Sequence, residues 1–257
     1  MSVLDDLLEA LTDGSVEVVD LTAKLREDTP ILRLPEPFVN TPGFSLEELS
    51  RYDDRGPAWY WNTIHTGEHV GTHFDAPIHW VTGRDDSDVS EVPLRHLVSP
   101  AVVIDVTDKV ADDPDFLLEV DHVRAWEDEH GPLPDGGWLL YRTAWDVRSD
   151  DQEAFLNADD QGPHTPGLSV ECARWLAEEA PIIGIGVETV GTDAGAAATF
   201  DPAFPCHTFL LGNGKYGLTQ LQNLATLPPR GTILITAPLP IVNGSGSPLR
   251  VLALVSR

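Results

Sequence analysis

Between positions 65 and 79 the chain places four of its nine histidines, in the run His65-Thr-Gly-Glu68-His69-Val-Gly71-Thr-His73-Phe-Asp75-Ala-Pro77-Ile-His79. This run constrains the fold more than any other feature. Gly71 lets the backbone turn between His69 and His73, so that their rings can converge. Pro77 offers no N–H and pushes the residue before it out of helical space. The run therefore argues for a turn carrying the donors and against one helix with histidines on a face. It predicts a turn that presents two imidazoles and a carboxylate to a common point.

Those donors are the borderline nitrogen and oxygen ligands that suit Zn²⁺, Mn²⁺ or Fe²⁺. His69, His73 and Asp75 are the candidate donors of the core. His79 is the candidate general base, with an expected pKa near neutrality. His65 falls on the preceding strand and reads as structural. Two histidines and a carboxylate also hold iron in non-haem oxygenases. A hydrolase uses a free base such as His79 to move a proton, which favours hydrolysis over that rival.

Hydrophobic periodicity places elements around the run. Leu4, Leu7, Leu8 and Leu11 repeat at helical spacing, and Gly14 ends them, so an amphipathic helical arm is expected over residues 1–14. Short β-rich stretches bounded by Gly, Pro or Asp predict strands at 16–21, 59–66, 100–106, 137–142, 182–187, 231–237 and 249–255. Helices are expected at 119–130 and 170–180, the second with Ser169 as its N-cap. Residues 27–58, rich in Pro, Gly and charge, read as one long loop. Strands interspersed with few helices give an α/β or α+β fold. No repeat or linker divides the 257 residues, so one domain spanning 1–257 is expected.

The chain carries 42 acidic residues against 16 basic ones, a net charge of −26. Such a surface repels phosphate backbones, which excludes nucleic acid as a partner. No apolar run reaches the ~20 residues of a membrane span. The acidic start, Met-Ser-Val-Leu-Asp-Asp, lacks the basic region of a secretory signal, so a cytoplasmic location is expected. The two cysteines, Cys172 and Cys206, are expected to be buried free thiols. The acidic clusters at 84–88 and 112–115 lack the spacing of a calcium loop and read as solvated turns.

The pattern His-x-Gly-Thr-His-x-Asp-Ala-Pro-x-His, spanning His69 to His79, resembles that of the metal-dependent cyclase-like hydrolases. This family includes bacterial kynurenine formamidases and isatin hydrolases. Similar fragments continue along the chain: Pro166-Gly-Leu-Ser169, Trp175-Leu-Ala-Glu178, Gly186-Val-Glu-Thr-Val-Gly-Thr-Asp193 and Cys206-His207-Thr-Phe-Leu-Leu211. The resemblance implies an α/β fold of the swivelling β/β/α type, with a mixed sheet core, few helices and a homodimeric assembly. It implies that His69, His73 and Asp75 ligate the first metal and that His79 is the acid/base. His207 matches a histidine that binds a second metal in formamidases. The glutamate that completes that second site is replaced here by Thr219, with Gln220 beside it, and neither replaces a carboxylate well.

One divalent metal is therefore expected, Mn²⁺ with Zn²⁺ as the alternative, as in the isatin hydrolase branch. The expected reaction opens a cyclic amide, isatin to isatinate, by metal-activated water. The alternative substrate is N-formylkynurenine. His207, backed by Thr219 or Gln220, would steady the oxyanion or pass protons. Trp59, Trp61, Trp80 and Phe38 are the candidate contacts for a small aromatic cyclic amide, since such pockets are lined mainly by apolar and aromatic groups.

Overall fold

A computed structural model describes residues 2–257. Met1, the first residue of the expected arm, lies outside the described residues. The longer strands are β1 (Val16–Asp20), β2 (Ser45–Arg51), β3 (Tyr60–His65), β4 (His73–Asp75), β5 (Val98–Asp105), β6 (Trp138–Arg142), β7 (Gly184–Val187), β8 (Tyr216–Thr219), β9 (Thr232–Thr236), β10 (Gly246–Pro248) and β11 (Val251–Ser256). The helices are α1 (Val3–Asp13), α2 (Thr107–Asp112), α3 (Val120–His130), α4 (Gln152–Leu156) and α5 (Val170–Glu178).

Nine of these strands form one mixed sheet in the order β1-β11-β9-β5-β6-β7-β8-β4-β10. The centre, from β5 through β6 and β7 to β8, is parallel. Antiparallel strands flank it on both sides. A parallel sheet needs cover on both faces, and its strands are apolar throughout for that reason. Strand β5 shows how: Val102 and Ile104 join a core beneath α3 and α5, with Val123, Cys172 and Leu176. Ala101 and Val103 point the other way, into a second core with Phe74, Trp138, Leu140 and Leu218. Period-two alternation thus feeds two apolar layers from one strand. The α/β class with a mixed sheet and few helices matches the expectation from sequence.

The helix ends follow the chemistry of their caps. Ser169 Oγ accepts from Cys172 N–H at 3.1 Å at the start of α5. Helix α1 ends at Gly14, whose φ of 81° is left-handed and favours glycine. None of the α1 residues is buried, so its apolar stripe of Val3, Leu4, Leu8 and Leu11 faces outward.

One expectation needs correction. Residues 27–58 are not a single loop, because β2 pairs antiparallel with β3 from Ser45↔His65 to Arg51↔Tyr60. The sequence Ser-Leu-Glu-Glu-Leu-Ser-Arg has weak strand propensity of its own. Pairing with the aromatic strand β3 supplies what its composition lacks. Among the described residues no helix is long and apolar enough to cross a membrane.

Candidate metal centre

The site is assembled on β4, which lies between β8 and β10. Asp75 is opposite Gly217 on one side and Gly246 on the other, and His73 is opposite Thr219 and Pro248. Residues two apart share a face, so His73 and Asp75 point together while Phe74 points into the core. Gly71, at φ 65°, turns the chain into β4, and its carbonyl accepts from His73 Nδ1 at 2.7 Å. Beyond β4, Pro77 opens a single 3-10 turn, Pro77–His79. That turn folds the His79 ring onto the His69 ring, with centroids 3.9 Å apart and planes 27° apart.

The donor atoms of His69, Asp75 and His79 all lie within 4.8 Å of one another. His69 Nδ1 is 2.8 Å from Asp75 Oδ1, and His73 Nε2 is 3.4 Å from the same oxygen. Asp75 thus stands between His69 and His73, with His79 stacked on the His69 ring. Two or three imidazoles around a buried carboxylate fit the ligand chemistry of a divalent ion. The geometry admits His79 beside the ligands as readily as it admits His73.

Burial dominates the charge states. It drives His73 down to about 4, against the raising effect of Asp75. It drives His79 down to about 3, again against Asp75. The expected near-neutral pKa of His79 is corrected accordingly: burial beside the other imidazoles penalises its cation. Burial alone would raise the Asp75 carboxyl, but His73 and His69 reverse this and hold it well below the usual range.

His207 reaches the site from a π-helical turn, Cys206–Leu210. Its ring centroid is 5.5 Å from that of His79 and 4.7 Å from Trp80. Asp193 organises this turn. Its carboxylate accepts from Cys206 N–H at 2.7 Å, His207 N–H at 3.2 Å and His207 Nδ1 at 2.5 Å. Burial disfavours the imidazolium of His207, but Asp193 outweighs it, and the pKa rises.

Of the other expected contacts, Trp80 lies at the site, edge-on to Phe204 at 5.6 Å. Thr219 is at the site too, but behind His73 and not behind His207. Its Oγ1 is 2.9 Å from His73 Nδ1 and 3.1 Å from Nε2. Gln220 turns away: its φ is 53° and its Nε2 donates to Pro30 O. Trp59, Trp61 and Phe38 are 48, 56 and 63% exposed, and the two tryptophans pack edge-on against each other. The chain does not bring these three into contact with its own histidine cluster. His164 pairs instead with Asp115 and Asp159. His65 lies on β3 and pairs with Glu47. Both cysteines are free and buried.

Sequence reasoning missed Ser245 and left Glu68 and Asp193 without roles. Ser245 Oγ lies 2.8 Å from His69 Nε2 and 2.5 Å from Glu68 Oε2. Asp193 stood in a fragment already noted, and an acidic residue in a Gly-Thr-Asp-Ala-Gly stretch was its one signal. Ser245 had none, being one of two serines in Asn-Gly-Ser-Gly-Ser.

A second buried carboxylate, Glu188, follows β7. It accepts from Thr143 N–H at 2.6 Å, Thr143 Oγ1 at 2.9 Å and Trp145 N–H at 3.2 Å. Burial nevertheless pushes its pKa up from 4.5 to about 7. The native state then binds this proton more tightly than the unfolded chain. Stability from this group is full below the unfolded value and is lost as pH rises through about 7. Thermal melts of Glu188→Gln and wild type should therefore diverge with pH. The variant gains relative to wild type as pH goes from 5 to 8, whereas a constant difference would contradict the buried protonated acid.

A nitrogen and oxygen cluster of this kind, on a mixed α/β sheet with Trp80 and Phe204 nearby, is one that could hold a divalent metal ion. The chain belongs to the Cyclase family, whose model matches residues 19–194. It is 48% identical to the isatin hydrolase of Roseibium aggregatum over 259 residues, covering all of this chain and 98% of that one. The crystal structure of an isatin hydrolase bound to the product analogue thioisatinate superposes with a TM-score of 0.95, at 46% identity and full coverage of both chains. A kynurenine formamidase of Salinibacter ruber is more distant, at 30% identity over 192 residues, covering 73% of this chain and 76% of that one.

Proposed function

We propose that this chain is a metal-dependent hydrolase that opens isatin at its cyclic amide C–N bond to give isatinate. One observation carries the reading. The chain matches isatin hydrolases along its whole length, and its His69–Asp75–His79 cluster, with Trp80 beside His79, has the donors of a metal site. Water adds across the amide: its oxygen bonds to the carbonyl carbon, the C–N bond breaks, and the nitrogen takes a proton. The product is a carboxylate and an aryl amine.

His69, His73 and Asp75 would hold one divalent ion, Mn²⁺ or Zn²⁺. Such an ion polarises the carbonyl and makes water more acidic. His79 would be the group that takes the proton of the attacking water and returns it to the leaving nitrogen, its ring standing 3.9 Å from the His69 ring beside the ligands. Asp193 keeps His207 inclined to its cationic form, which places positive charge where the oxyanion develops. Trp80 offers a face to the aromatic ring of the substrate, and Thr219 fixes the His73 ring. Thr219 in the position of a formamidase glutamate supports one metal in place of two.

A homodimer in the cytoplasm completes the reading. Its support is the apolar side chains left outside by the chain alone: the α1 stripe, and Trp59, Trp61 and Ile64 on β3 with its flank. Trp59, Trp61 and Phe38 would contact substrate only across such a dimer.

The test strips the protein of metal, reloads it with Mn²⁺ or Zn²⁺, and follows isatin and N-formylkynurenine by absorbance. Isatin should be consumed, with one ion bound per chain. Preferential loss of N-formylkynurenine would overturn the substrate. Two tightly bound ions per chain would overturn the single-metal reading.

A further inference from the structure

The side of His69 that faces away from Asp75 carries hydrogen bonds that the reaction does not use. Glu68 Oε2 accepts from Ser245 twice, from the backbone N–H at 3.2 Å and from Oγ–H at 2.5 Å. A carboxylate only accepts, so the single hydroxyl proton of Ser245 is committed to Glu68. Ser245 Oγ therefore meets His69 Nε2, 2.8 Å away, as an acceptor. Nε2 must carry the proton. In the neutral ring, the lone pair is then on Nδ1, the nitrogen 2.8 Å from Asp75 Oδ1. Two lone pairs that face each other at this distance repel unless a cation lies between them.

The ring is also clamped. A Cβ on Gly246 would stand 2.6 Å from His69 Cε1 and 2.3 Å from the Phe74 carbonyl oxygen. Only a glycine lets the backbone of β10 approach the imidazole so closely. The His79 ring stacks on it at 3.9 Å.

We infer that Glu68 and Ser245 are positioning residues that select the Nε2–H tautomer of His69 and hold its Nδ1 toward the metal. The inference rests on the reading of His69 as a ligand. A hydrogen bond from the outer nitrogen of a ligating imidazole fixes its tautomer and orientation, and losing it typically weakens metal affinity by about 10–100-fold. Here a hydroxyl stands between imidazole and carboxylate. Glu68 acts on His69 by fixing which way that hydroxyl points.

The test measures dissociation constants for Mn²⁺ and Zn²⁺ by competition with a chelating dye, on the full chain freed of metal. Ser245→Ala should raise both constants by about 10–100-fold, while the melting temperature of the metal-free protein changes little. Ser245→Thr keeps the hydroxyl and should restore most of the affinity, a rescue that a packing role alone would not give. Glu68→Ala frees the hydroxyl to rotate and should weaken binding in the same direction. It also serves if Ser245→Ala fails to fold. His69→Ala separates the two readings. If it binds metal as wild type does, the ligand assignment itself falls. If it loses metal while Ser245→Ala and Glu68→Ala keep wild-type affinity, the positioning inference alone is overturned.

Discussion

Asp75→Asn is expected to lower isatin turnover by about 10³-fold or more, because polarisation by a metal contributes several kcal/mol and each 1.36 kcal/mol is tenfold in rate. The substitution keeps the size and shape of the side chain and removes its charge. Asp75 is 2% exposed and is the one carboxylate that His69 and His73 both approach, at 2.8 and 3.4 Å. A neutral amide leaves a divalent charge buried among imidazoles with no anion beside it, which is unfavourable in a pocket of low polarity. Metal retention measured on the purified variant should fall together with turnover. The stabilisation that metal gives wild type, about 2.7 kcal/mol at a hundredfold excess over the dissociation constant, should also shrink. Wild-type turnover with Asn at this position would remove Asp75 from the site.

The run from His69 to His79 was legible because its chemistry is local. Gly71 and Pro77 punctuate the backbone, and the donors recur within a span that one strand and one turn can gather. His207 was legible only through resemblance, since nothing in residues 195–215 says that a π-helical turn will bring it against Trp80. Thr219 was placed at the site, but its partner was misread. The register of β8 against β4 sets Thr219 opposite His73, and register between distant strands is a tertiary fact. Ser245 was invisible for the same reason: Glu68 and Ser245 are joined by the fold alone, through β10 pairing with β4.

The tryptophans beside the site in sequence are a contrasting case. Trp59 and Trp61 come shortly before His65 in the chain, yet β3 leaves the main sheet to pair with β2. Proximity in sequence ends where a strand changes partners. The central strands β5, β6 and β7 were readable as apolar runs because both of their faces are covered, whereas β8, Tyr216–Thr219, with Gly and Thr among its four residues, was not. Short strands such as β4 and β10 carry too few residues for any period to show. Alternation along β4 becomes interpretable only once β8 and β10 are known to flank it.

That alternation ties the stability of the fold to the geometry of the metal centre. Phe74→Ala is expected to destabilise the protein by about 3–5 kcal/mol, the usual result of truncating a buried phenylalanine and leaving a cavity. Phe74 is 0% exposed and packs on Trp138 at 6.0 Å and Tyr216 at 5.1 Å. Urea unfolding of the metal-free chain measures the change, and a loss below about 1 kcal/mol would contradict the packing described, being typical of a site that repacks or was never filled. Phe74 stands between His73 and Asp75 on one short strand, so the side chain that anchors β4 to the core also sets where the two donors point. Metal then does more than bind. A divalent ion held by His73 and Asp75 in the folded chain would add to the stability of the variant as RT ln(1 + [L]/Kd), and the unfolding midpoint of Phe74→Ala should rise on adding Mn²⁺ or Zn²⁺. A midpoint that ignores metal in the variant, while wild type responds, would mean that the cavity has already displaced His73 and Asp75 from the positions a divalent ion requires.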